Sequence, residues 1–217
     1  MSDLFPTSEP NLKDTADVAP VSVVRKRPKP GERRAQILQA LATMLEQPGA
    51  ERVTTSALAA KLDVSEAALY RHFASKAQMF EGLIEFIEQS VFTLVNQISD
   101  REPEPAARIR KLVVMVLQFA EKNPGLTRVM VGDALVFENE RLQERMNQFF
   151  DKFESSLKQS LRDESIASGT ATPTVDAQVT ASVAVAFMIG RLQRFARSGF
   201  RRLPSEHLQA SLITILG

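Results

Sequence analysis

From residue 32 onward, apolar residues recur at three- and four-residue steps along almost the whole chain, and that period belongs to helices. Ile37, Leu38, Leu41, Met44 and Leu45 set the pattern, with Pro48-Gly49 as its stop. Long periodic stretches follow near 76–99, 104–122, 138–163, 174–199 and 205–216. Pro103 and Pro105, Asn123-Pro124-Gly125, Gly169 to Pro173 and Pro204 punctuate them. No alternating run is bounded by hairpin turns, and there is one Tyr and no Trp, so strand signals are nearly absent. An all-α chain is expected, without internal repeats. Residues 1–31 carry five prolines and no period, and are expected to be a disordered tail.

Composition narrows the function classes. The chain has no Cys, which removes disulfides, thiolate metal sites and a cysteine nucleophile, and its two His are far apart in sequence, so no metal is expected. No apolar run reaches the roughly 18 residues of a membrane span. The N-terminus lacks the basic and apolar segments of a secretory signal. A soluble, cytoplasmic protein without membrane contact is the expectation. Glu138/Glu140 and Asp163/Glu164 lie too close in sequence to face one another as an acid/base pair, and there is no Gly-rich phosphate loop. Enzyme activity and a cofactor have no support.

The net charge is only +1, yet it is unevenly spread. Residues 1–24 hold one basic and four acidic residues, residues 25–78 ten basic and five acidic, and the remaining 139 are near neutral. The tail closes on Arg25-Lys26-Arg27, Lys29 and Arg33-Arg34. This reads either as a solvated tail or as a basic arm on a nucleic-acid backbone.

Residues 54–73, TTSALAAKLDVSEAALYRHF, lie inside the basic region. Thr54 or Thr55 can cap a short helix carrying Leu58 and Leu62, Asp63-Val64 breaks it, and Ser65 caps a second one. The pair has helix-turn-helix spacing. Small Ala59, Ala60, Ala67 and Ala68 would allow a close crossing, while Val64, Leu69 and Phe73 would point inward. Tyr70, Arg71 and His72 are then left for base edges, with Thr54, Thr55 and Lys76 at helix starts for phosphates. The full candidate set for double-stranded DNA is Arg33, Thr54, Thr55, Ser65, Ala67, Ala68, Tyr70, Arg71, His72 and Lys76.

This pattern, T-T-x-x-L-A-x-x-L-x-V-S-x-x-x-L-Y-R-H-F-x-S-K before a long helix, resembles the tetracycline-repressor (TetR) family. Leu69, Tyr70, Phe73 and Lys76 match the residues that close that family's DNA-binding domain. The segments 64–73, 83–88, 123–128 and 141–148 further resemble the nucleoid occlusion factors (SlmA-like). The resemblance implies three small DNA-reading helices over 32–77 and a helical core for partner binding and dimerisation over 78–217. It also implies a homodimer on DNA that antagonises the division protein FtsZ. A ligand-responsive repressor is the alternative.

On a helical wheel of 76–99, Phe80, Leu83, Ile84, Ile87, Val91, Leu94, Val95 and Ile98 share one arc, while Phe86 falls off it with Met79 beside it. Phe86 either packs on a second side of the helix or lines a groove for a peptide. Taken with the resemblance, Phe86, Met115, Lys122 and Asn123 are candidates for holding the FtsZ C-terminal tail. The Phe149, Phe150, Phe153, Leu157 and Leu161 stripe reads as core. Phe187, Met188, Leu192, Phe195 and Leu212 are candidates for a dimer seam, which would place two reading helices on a palindromic site and the protein on the nucleoid.

Overall fold

The computed structural model describes residues 31–47 and 52–216. Residues 1–30, with most of the expected tail, and the Pro48-Gly49 stop lie outside the described residues. Among those described there are nine α-helices and no strand. They are α1 (Glu32–Leu45), α2 (Thr55–Lys61), α3 (Glu66–Tyr70), α4 (Lys76–Arg101), α5 (Pro105–Lys122), α6 (Pro124–Met130), α7 (Glu140–Ala167), α8 (Pro173–Arg197) and α9 (Leu208–Leu216). A 3-10 turn, Asp133–Leu135, joins α6 to α7.

Polar caps explain most of the starts. The hydroxyls of Thr54, Ser65 and Ser75 accept from the N–H groups of Ala57, Ala68 and Gln78, each satisfying one amide that the helix itself cannot. Glu104 caps α5 and Asn139 caps α7. Pro105, Pro124 and Pro173 occupy first turns, where a missing N–H costs nothing. Asn123-Pro124-Gly125 ends α5, as read, and the same rule lets it open α6 at once.

α7 and α8 pack along one another, with α5 against both, and α4 lies across α5 and α7. Phe149, Phe153 and Leu157 are fully buried there, so the Phe stripe is core. Half-buried Phe92 meets Phe149 edge-on at 5.5 Å, which puts the second side of α4 against α7. Met79 is buried as well and does not accompany Phe86. Each such fully buried side chain contributes roughly 1.5–3 kcal/mol.

α1, α2 and α3 form a three-helix unit around Leu41, Leu58, Leu69 and Phe73. Of the four alanines expected at the α2–α3 crossing only Ala59 is buried; Ala60 and Ala67 face solvent, because α3 is a single short turn set on Leu69. This unit is held to the rest through α1, which docks on α4 and α6. A Cβ built on Gly125 would stand 2.0 Å from the Ala42 carbonyl oxygen, so the backbones of α6 and α1 touch. At Gly82 in α4 a Cβ would press on Leu38 at 3.0 Å.

Three ion pairs tie α4 to the start of α7. Lys76 meets Glu138 at 2.5 Å, Glu81 meets Arg141, and Glu88 takes Arg145 through both Nε and Nη2. The hydrogen bonds to Glu88 hold the Arg145 guanidinium above its ordinary pKa, against the opposing effect of burial.

α8 bears on two expectations. One 18-residue stretch of it is apolar enough on average to cross a membrane, although charged and polar residues interrupt it; here the helix packs on α5 and α7. Met188, Leu192, Phe195 and Leu212 are buried within the chain itself, and Phe187 is half-buried beneath Arg191. The apolar face left open is the neighbouring one: Val175, Val179, Val183 and Ala186 on α8, with Ile213 on α9.

Replacing Gly125 by Ala is expected to lower unfolding stability by about 2–3 kcal/mol or more, since backbone rather than a flexible side chain must move. Urea unfolding followed by helical circular dichroism measures it.

Candidate nucleic-acid interface and seam pocket

Two short helices and a tight turn build the first site. Asp63 adopts a left-handed backbone (φ 54°) between α2 and α3, a conformation that Asp tolerates better than most residues. Val64 packs partly buried against the core, as its apolar character demands. The Thr55 hydroxyl donates to Glu66 at 2.7 Å, which brings the starts of α2 and α3 together. Thr54 and Ser65 are exposed at those starts, with Thr55 half-buried between them.

Leu69 and Phe73 anchor α3, so its other face is free. Ala67, Tyr70, Arg71 and His72 are exposed, Tyr70 to 45 %, and Ala68 is half-buried. A face with one aromatic, one cation and one imidazole, flanked by hydroxyls at two helix starts, suits the groove edge and backbone of duplex DNA. Lys76, a cation of the set, is engaged in an ion pair with Glu138.

Sequence reasoning missed Arg34 as a structural residue. Its guanidinium donates to the His72 carbonyl at 2.8 Å and lies 4.0 Å above the Phe73 ring, joining the first turn of α1 to the end of α3. Its neighbour Arg33, half-buried, bonds Gln36 within α1. Adjacent arginines in a basic run look alike in sequence. Only the register of α1 separates the one that holds α3 from the one that bonds within its own helix.

The second site is a pocket of about 270 Å³ at the seam between α1 and the core. Phe86, half exposed, lies on one wall with Leu83; Lys122, Asn123 and Leu126 come from the α5–α6 junction. α1 supplies the facing wall through Leu38, Ala42 and Glu46. Three of the four residues expected in the groove therefore meet. Met115 does not: it is half-buried against the core, seven residues and about 10 Å up α5 from Lys122. The contribution of α1 was not foreseen. Its signal is the spacing of Leu38, Ala42 and Glu46 on one helix face.

These arrangements define a helix-turn-helix regulator of the TetR type. The model described as "Bacterial regulatory proteins, tetR family" matches residues 37–83, and "Tetracyclin repressor-like, C-terminal domain" matches 104–215. The nucleoid occlusion factor SlmA of Vibrio cholerae is 53 % identical over 176 residues, covering 81 % of this chain and 89 % of that protein. SlmA of Idiomarina loihiensis is 50 % identical, covering 82 % and 90 %. The chain belongs to the SlmA family of nucleoid occlusion factors. Among solved structures, the ketosteroid regulator KstR2 of Mycobacterium tuberculosis superposes with a TM-score of 0.66 at 22 % identity, covering 89 % of this chain and 97 % of that one. FadR of Bacillus subtilis, solved with stearoyl-CoA, has a TM-score of 0.66 at 14 % identity, covering 83 % and 96 %. At such identities the likeness is one of fold.

The two roles of arginine are separable. Arg34→Ala should cost about 1–2 kcal/mol of stability, because it removes a charged hydrogen bond and the stacking of a cation on a ring at once. Arg71→Ala, at an exposed position, should stay within about 0.5 kcal/mol of the parent in the same urea titration.

Proposed function

We propose that this protein is a sequence-specific DNA-binding homodimer that acts as a nucleoid occlusion factor, blocking FtsZ ring assembly over the chromosome. Residues 32–77 are the reading unit, and 78–217 the unit for partner binding and dimerisation. A cytoplasmic, nucleoid-associated location follows from that role. The relatives at half identity carry this function in their names. The observation that carries it for this chain is the seam pocket, where an exposed aromatic sits beside a cation in a hollow shared by the reading unit and the core.

The pocket suits a short apolar segment such as the FtsZ C-terminal tail. An inserted aliphatic side chain would cover Phe86, with an acidic group near Lys122 and a basic one near Glu46, so charges of both signs are accommodated. The reading face of α3 takes the duplex. Pairing of two chains through Val179, Val183 and Ala186 of α8, with Ile213 of α9, would cover the open apolar stripe and set two such faces on a palindromic site.

The test is binding of an FtsZ tail peptide by the purified protein, with and without a duplex selected from random sequence. Phe86→Ala should weaken peptide binding about tenfold or more while leaving duplex affinity unchanged. Peptide affinity unaltered by that change removes the pocket assignment, and no binding in either condition favours the ligand-responsive repressor. Val183→Glu should yield a monomer in sedimentation and reduce specific duplex affinity by about tenfold or more, because a single chain neutralises only half as many phosphates.

A further inference from the structure

The loop between the 3-10 turn and α7 places an acid on one of the cations expected to face DNA. Lys76 is the first residue of a 26-residue helix, where the helix dipole disfavours a positive charge. Its ammonium lies 2.5 Å from a carboxylate oxygen of Glu138 and 5.7 Å from the centre of the Phe80 ring. Glu138 is only 10 % exposed and immediately precedes the Asn139 cap of α7, so its carboxylate is held firmly in place. One residue earlier, Phe137 lies under Arg52, 5.7 Å from ring centre to guanidinium. Arg52 in turn leads into the capped start of α2. The loop thus rests on two cations that border the helix starts of the reading unit.

We infer that Glu138 is a built-in competitor of DNA: it occupies on Lys76 the place that a backbone phosphate takes in the complex. The inference rests on the DNA-binding reading above. A phosphate arriving at Lys76 would stand within a few ångströms of the Glu138 carboxylate. Repulsion between two anions at that range, in the dielectric of a protein surface, is several times the thermal energy. Binding therefore separates Lys76 from Glu138, and the freed carboxylate takes up a cation from solution. That uptake offsets part of the counterion release that drives association. Glu138 acts here as a positioning residue, without contact to DNA.

The experiment uses the full chain and a duplex selected on the unaltered protein, with affinity measured across a range of salt. Glu138→Gln keeps the shape and a hydrogen bond to Lys76 but removes the charge. It should bind on the order of tenfold tighter at moderate salt, and its slope of log affinity against log salt should steepen by about 0.9, one further counterion. In a Lys76→Met background the same change should leave the slope unaltered, and thermal melts of all four proteins establish that each is folded. If Glu138→Gln leaves both affinity and slope where they were, or weakens binding as Lys76→Met does, the competitor role is overturned while the DNA-binding reading stands. Failure of the unaltered protein to select any duplex would overturn that reading, and the inference with it.

Discussion

The close passage of α1 over α6, backbone against backbone at Gly125 and Ala42, is the constraint on which the other contacts depend. Any side chain at Gly125 would drive α1 outward, and α1 is the only one of the three N-terminal helices that docks broadly on both α4 and α6. α3 is then fixed at second hand. Leu69 and Phe73 bury it against the unit, and Arg34 ties the His72 carbonyl, just past its end, to the first turn of α1. The pose of the reading face relative to the core is therefore set by one glycine contact and a few aliphatic side chains around it.

Electrostatics does a different job. The ion pairs of α4 with the segment 138–145 are partly exposed, and such pairs each contribute little net stability, about 0–1 kcal/mol. Their effect is directional: a carboxylate or a forked guanidinium accepts its partner over a narrow range of angles, so three in a row oppose sliding of α4 along α7. Apolar burial holds the helices together, and the charges hold them in register.

Much of this was legible in the sequence because it is local. Capping at Thr54 and Ser65, the inward pair Leu69 and Phe73, the outward Tyr70, Arg71 and His72, and the all-helical architecture each follow from residues within one or two turns of one another. The rest failed for definable reasons. The stop at Asn123-Pro124 was read, but not the helix that Pro124 begins, because proline ends helices more visibly than it begins them. The apolar residues of α8 surround the helix, so periodicity could not say which side faces its own chain; the bulky Met188, Leu192 and Phe195 went inside with Val185, while Val175, Val179 and Val183 stayed out. Lys76 showed its charge but not its partner, which lies 62 residues away. The α1 wall of the pocket was hidden likewise, since its residues meet Phe86 only after the chain has folded back on itself.

A hollow whose two sides belong to different parts of a molecule keeps its shape only while those parts stay parallel. α1 spans about 21 Å, so a 10° swing about one end would carry the other by nearly 4 Å, more than the radius of a methyl group. The cleft beside Phe86 is in that sense a goniometer: its width registers the angle between the trio of small helices and the body they ride on.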